Sequence, residues 1–114
     1  MTTFIKNVTF DCANPRRVAT FWSEVTGYEP VTERDDLVIL QAPDNRGIRQ
    51  LLFYAVPESK VAKNRMHVDL ACKDSSAEVA RLMSLGATRV EECSGDGVSW
   101  TVMLDPEGNE FCLG

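Results

Sequence analysis

The chain has one histidine, His67, and the residue types around it mark the first place to look for chemistry. In Asn64-Arg65-Met66-His67-Val68-Asp69-Leu70, the apolar Met66, Val68, Leu70 and then Cys72 alternate with His67, Asp69 and Ala71. Alternation with a period of two describes a strand with one apolar and one polar face. An imidazole titrates close to neutral pH, so on a polar face it can hold a ligand or move a proton. The alternative is a hydrogen-bonded structural histidine. Asp69 can orient a polar ligand, partner Arg65 or hold a backbone turn. Near the N-terminus Val8, Phe10 and Cys12 alternate with Asn7, Thr9 and Asp11 in the same phase, so Asn7 stands where His67 stands later. His67 is therefore the candidate catalytic residue, and Asn7, Thr9, His67 and Asp69 are candidate ligand-binding residues. Trp100 shares a strand face with Val102 and Leu104, a face that lines a cleft or fills the core.

The two similar strands imply a duplicated unit. After the first strand, from about Phe4 to Cys12, Asn14 caps a helix and Pro15 takes its first position, where a missing N–H costs nothing. Val18, Phe21, Trp22 and Val25 recur at helical spacing as a core stripe, and Gly27 ends the helix. Strands are expected from Tyr28 to Thr32, over Leu37–Ala42 and over Arg49–Val56, with a turn at Pro43-Asp44-Asn45-Arg46-Gly47. Residues 57–65 lack periodicity and read as a linker. The second half repeats the order. Ser75-Ser76-Ala77-Glu78 has capping-box spacing, Val79, Leu82 and Met83 give a short amphipathic helix, and Gly86 closes it. Strands come next at Arg89–Cys93, Val98–Leu104 and Asn109–Leu113, separated by turns at Ser94-Gly95-Asp96-Gly97 and Asp105-Pro106-Glu107-Gly108. Each helix covers one face of its sheet and leaves the other free.

A chain of 114 residues suits one domain that buries most of its apolar surface without staples. A net charge of −5 argues against a nucleic-acid backbone or an anionic membrane as partner. Lys60, Lys63 and Arg65 form a basic cluster that reads as a solvated linker rather than an anion-binding edge. Met1-Thr2-Thr3-Phe4-Ile5-Lys6 has no signal-peptide pattern, and no apolar run spans a bilayer, so a cytoplasmic protein with reduced thiols is expected. Cysteines 12, 72, 93 and 112 show no C-x-x-C spacing, which argues against a zinc knuckle; Cys12 and Cys72 read as small core residues.

Several motifs carry a family resemblance: Asp11-Cys12-x-x-Pro15, Phe21-Trp22-x(4)-Gly27, Val56-Pro57-Glu58-x-Lys60, Lys63-Asn64-Arg65-x-His67-x-Asp69-Leu70 and Asp105-Pro106-x-Gly108-Asn109-Glu110-Phe111. In this order, with tandem β-α-β-β-β units, the chain resembles the vicinal oxygen chelate superfamily of glyoxalase I, bleomycin-resistance proteins and extradiol dioxygenases. Within it the chain looks like the small glyoxalase-like proteins. The resemblance implies an α+β fold of two tandem βαβββ modules, at about 4–56 and 66–114, forming a curved, cleft-enclosing mixed sheet in one domain.

In metal-using members of that superfamily, positions in the first and last strand of each unit meet at a divalent ion. Carried onto this chain, they fall on Asn7, His67, Cys112 and Leu51, or Phe53 because turn lengths differ. Only His67 is a standard ligand, and Cys112 stands in place of the usual carboxylate. Two protein ligands, where catalytic zinc takes three, lead to the expectation of no metal and no cofactor, a divalent metal being the alternative. The carry-over also sets Cys112 near His67, as a thiolate–imidazolium pair or as a buried inert cysteine. The resemblance thus implies a protein that binds a small organic molecule in a β cleft lined by Asn7, Thr9, Leu51, Phe53, His67, Asp69, Trp100 and Cys112. It also implies a homodimer. The alternatives are a metal-dependent lyase, isomerase or dioxygenase of the glyoxalase type, and a drug-sequestering protein of the bleomycin-resistance type.

Overall fold

Asn14 and Pro15 start the first helix as their types require. In the computed structural model, which describes residues 5–44 and 47–114, the Asn14 side chain accepts a hydrogen bond from the Arg17 N–H (3.2 Å). Strand β1 (Asn7–Cys12) thus leads directly into helix α1 (Pro15–Thr26), which Gly27 ends in the left-handed region at φ 77°. β2 (Glu29–Glu33), β3 (Leu37–Gln41) and β4 (Gln50–Ala55) come next. The sheet order is β1-β4-β3-β2, with β1 parallel to β4 and the other pairs antiparallel. Phe4, the expected start of β1, and Asn45 and Arg46 of the expected turn lie outside the described residues.

The faces of this sheet are set by one aromatic stack. The Phe10 ring lies 5.3 Å from the Trp22 ring of α1 and 5.0 Å from Phe53. Phe10, Phe53 and, by alternation, Leu51, Val38 and Leu40 therefore face the helix, where Val18, Phe21 and Trp22 are also buried. Asn7, Thr9, Gln50 and Leu52 face the other way.

The second unit, Lys60–Gly114, repeats the order of the first, Met1–Ser59. Its elements are β5 (Val68–Leu70), α2 (Ser75–Ser84), β6 (Thr88–Gly95), β7 (Val98–Leu104) and β8 (Glu110–Leu113). The order is β5-β8-β7-β6, with β5 parallel to β8. Met103, Phe111 and Leu113 share one face and are buried, as is Leu82 of α2. The expected α+β pair of βαβββ modules is thus present, as two four-stranded mixed sheets.

Several local expectations change. The cap of α2 is Asp74, which accepts from the Ala77 N–H (3.1 Å); Ser75 is already helical, and Glu78 pairs with Arg81 (2.8 Å) instead of reaching back to the cap. Met83 is exposed, leaving Leu82 as the buried residue of α2. Asp96 (φ 51°) and Gly97 (φ 80°) form a two-residue turn with both φ positive, so β6 runs on to Gly95. Met66 is 85% exposed and Cys72 half-buried, because β5 pairs with β8 only over Val68–Leu70. β1 and β5 are the outer strands of their sheets, so Val8, Phe10, Val68 and Leu70 are half-buried rather than sealed. No helix among the described residues is long and apolar enough to cross a membrane.

Candidate functional site

Four sequence-predicted residues come together on one face of the second sheet. Asp69 is the register partner of Cys112, Cys112 of Val102, and Val102 of Glu91, so these four form one row across the sheet. Trp100, beside Cys93, and Leu104, beside Glu110, flank that row on the same face. His67 precedes Asp69 by two residues, and its Nε2 lies 3.3 Å from Asp69 Oδ1. Trp100, Val102, Leu104 and Cys112 are half-buried, while His67 and Asp69 are exposed, so an apolar floor carries polar groups at one edge.

The segment before His67 is fastened to β8. Glu110 accepts from Lys60 Nζ (2.9 Å) and from the Asn64 backbone N–H (2.7 Å). The Asn64 amide completes the contact, its nitrogen donating to Glu110 Oε2 (3.1 Å) and its oxygen accepting from the Glu110 N–H (3.2 Å). Burial pushes the Glu110 carboxyl up, but the Asn64 and Lys60 donors together outweigh it and hold the group below the ordinary glutamate value. After β7 the chain turns back through a buried aspartate. Asp105 accepts from the N–H groups of Glu107 (2.8 Å) and Asn109 (2.9 Å) and from the Asn109 amide (2.9 Å), which fixes the entry into β8.

The Cys112 thiol is pushed up by burial first and then by the neighbouring Asp69 carboxylate; nearby Cys93 adds to this, and Lys63 opposes it. This is the reverse of the environment that makes a thiolate nucleophile, so the thiolate–imidazolium pairing has no support. Burial and the Glu91 carboxylate push Cys93 up as well.

Two predicted site residues fall elsewhere. Leu51 and Phe53 are buried on the helix-packed face, Phe53 completely, and do not line the polar face. The register explains the error: Asn7 pairs with Gln50 and Thr9 with Leu52, one residue out of phase with the expected positions. Asn7 and Thr9 do lie together on the open face of the first sheet, where Asn7 Nδ2 donates to Thr9 Oγ1 (3.3 Å). Beside them Gln50 Nε2 donates to Gln41 Oε1 (3.0 Å). A groove of about 320 Å³ in the first unit lies on the helix side, lined by Arg16, Thr20, Ser23 and Glu24 with Val38 and Leu40 of β3, away from Asn7 and Thr9. Sequence reasoning missed Glu110 and Glu91. Glu110 was open to inference, since it stands two residues from Cys112 and so shares its face.

The glyoxalase-like domain family model matches residues 7–114. The chain belongs to this family. Solved structures share the fold of the glyoxalase-like chain. One is a glyoxalase/bleomycin resistance protein/dioxygenase family enzyme from Burkholderia phytofirmans, with TM-score 0.79, 16% identity and 97% of each chain covered. The fosfomycin resistance protein FosX from Listeria monocytogenes, solved with Mn(II) and a dihydroxypropylphosphonic acid, gives TM-score 0.78 at 12% identity, covering 99% of this chain and 90% of that one. The bleomycin-binding protein from Streptomyces verticillus, solved with copper(II)-bleomycin, gives 0.66 at 15% identity, covering 99% and 97%. No curated protein matches the chain in sequence.

Metal ions accompany some proteins of this fold, and the expectation of none here rested on two donors. Folding supplies a third: one atom each from His67, Asp69 and Cys112 lies within 4.8 Å of the others. Imidazole nitrogen, carboxylate oxygen and sulfur form a donor set for zinc and similar ions, whereas magnesium and manganese prefer oxygens.

Proposed function

We propose that this glyoxalase-like protein binds a small organic molecule on the open face of the second sheet. Trp100, Val102 and Leu104 are the apolar floor, and His67 and Asp69 fix the orientation of the ligand's polar end. One observation carries this reading: a half-buried indole and two aliphatic side chains adjoin exposed, chemically active groups on a face with no helix-facing role. A mostly apolar surface with a few convergent polar groups is the general make-up of small-molecule sites. The Asp69 carboxylate beside Nε2 holds one edge of the His67 ring and leaves its other nitrogen to meet a ligand oxygen. Asn7 and Thr9 are the corresponding polar candidates of the first unit. The two neighbours solved with a phosphonic acid and with copper(II)-bleomycin support binding as the core activity, with sequestration of a drug-like molecule as one form of it. A cytoplasmic homodimer is part of the same proposal. A metal-dependent lyase, isomerase or dioxygenase is the second reading, favoured by the three donors.

The test is titration calorimetry of the whole chain against a panel of aromatic and aliphatic molecules bearing carbonyl, hydroxyl or phosphonate groups. A hit should bind stoichiometrically without being consumed, and His67→Ala should weaken it by about tenfold or more, equivalent to about 1.4 kcal/mol. Unchanged affinity in His67→Ala and Trp100→Ala would remove this face as the site.

A further inference from the structure

We infer that the open face of the second sheet takes an organic anion, an aromatic or aliphatic carboxylic acid, with Lys63 as the cation that selects its charge. This rests on the reading of that face as the ligand site.

The basic run before β5 reads in sequence as a solvated linker, and the fold divides it. Lys60 is engaged by Glu110, with Nζ 2.9 Å from the carboxylate, and also donates to the Ala62 carbonyl. The Asn64 N–H donates to the same carboxylate (2.7 Å), and the Asn64 amide meets the Glu110 main chain. Glu110 and Cys112 share the open face of β8 by alternation, so the segment is pinned over that strand. Lys63 and Arg65, on either side of Asn64, are exposed and have no ion-pair partner among the described residues. The Lys63 ammonium is near enough to Cys112 to act on its thiol against burial and Asp69. A cation with no carboxylate of its own thus stands beside the apolar floor.

The local charge balance is the reverse of the chain's. The whole protein carries −5, whereas here Lys60, Lys63 and Arg65 stand against Asp69 and Glu110, three cations to two carboxylates. Asp69 is the group that opposes an anion, and its Oδ1 is engaged by His67 Nε2 at 3.3 Å. Glu91, the other carboxylate of the row, is on β6, three strand spacings or about 14 Å from Asp69. Exposed charges that far apart are mostly screened at physiological salt, where the Debye length is about 8 Å. What remains of the Glu91 field disfavours an anion at the β6 end. The acid group is therefore assigned to β5 and β8, and the apolar body to Trp100 and Val102 of β7. One strand spacing, about 4.8 Å, separates β7 from β8, so a carboxylate carried on a ring spans both.

The experiment is calorimetry of the whole chain with 2-naphthoate and its neutral amide, 2-naphthamide, which match in shape and differ in charge. The acid should bind about fivefold more tightly, the upper range for an exposed ion pair. Raising salt from about 0.01 M to about 0.15 M shortens the Debye length from about 30 Å to about 8 Å, and should weaken the acid while leaving the amide unchanged. Lys63→Gln should remove the preference, and Lys63→Arg should keep it. Arg89→Gln, which removes an equal charge from the helix-packed face of β6, should leave both affinities as they are. Lys63 is exposed, so its variants fold. An amide that binds as tightly as the acid, a preference that survives Lys63→Gln, or no binding of the acid overturns the inference. The first two outcomes leave the open face standing as the ligand site when Trp100→Ala still weakens the amide. A Trp100→Ala variant that binds both probes as tightly as the native protein removes the face, and the inference with it.

Discussion

Replacing Glu110 by Gln removes a charge from the contact that delivers His67 and leaves the shape of the side chain nearly unchanged. The carboxylate is 14% exposed and accepts from Lys60 Nζ at 2.9 Å and the Asn64 N–H at 2.7 Å. A hydrogen bond to a charged group is worth about 1.5–3 kcal/mol, but the amide keeps one acceptor, which lowers the expected loss. The partner lysine is 28% exposed, so its ion pair adds less than a buried one would. The net loss should be about 1–2 kcal/mol at neutral pH.

The pH dependence comes from the lowered pKa of Glu110. A carboxyl held lower in the folded than in the unfolded state contributes stability above its unfolded value and loses it as pH falls through the folded one. Urea melts of native and Glu110→Gln protein from neutral pH to about pH 3 should therefore converge on the acid side, as the native carboxylate gains its proton. Amide exchange at Val68 and Asp69 should quicken in the variant at neutral pH. Equal stability at neutral pH, or a gap that persists unchanged into acid, would refute the reasoning that charge holds this segment.

The register of the first sheet makes a sharper prediction about packing. Phe53→Ala should cost about 3–5 kcal/mol in a denaturant melt, because the side chain is fully buried and stacks on Phe10. Leu52→Ala, on the half-buried open face, should cost well under half as much; equal costs would mean that the two faces are misassigned. The proposed homodimer predicts a light-scattering mass of twice the 12.7 kDa chain, and the mass of a single chain at working concentrations would contradict it.

Much of the fold was legible because the chain states its punctuation locally. Asn14-Pro15 and Gly27 bracket α1, and the alternation in Val8–Cys12 and Val98–Leu104 gives strand phase. Where the reading slipped, the deciding contact lay outside the local window. Asp74 competes with Ser75 for the cap, and local spacing favours the serine only because Glu78 stands three residues on; in the fold Glu78 is claimed by Arg81. Placing Leu51 or Phe53 on the open face required the register between β1 and β4, which depends on the length of a turn and not on any residue pattern. At the site, alternation alone put His67 and Asp69 on one face, and the family resemblance added Cys112. The Glu110 anchor was harder to see, because its partners Lys60 and Asn64 lie in a segment with no periodicity.

The central claim is that a small molecule binds on the open face of the second sheet, and the two tryptophans report on it separately. Trp22, on the sheet-facing side of α1 in the first unit, is 1% exposed, and Trp100 is half-buried on the proposed floor. In proton–nitrogen NMR spectra each gives one indole N–H signal, assigned with Trp22→Phe and Trp100→Phe. On titration with a ligand from the calorimetric panel, the Trp100 signal should move to saturation with the calorimetric affinity, along with the His67 and Asp69 amides, while the Trp22 signal stays in place. A ligand that saturates the protein while leaving the Trp100, His67 and Asp69 signals unmoved would contradict the account.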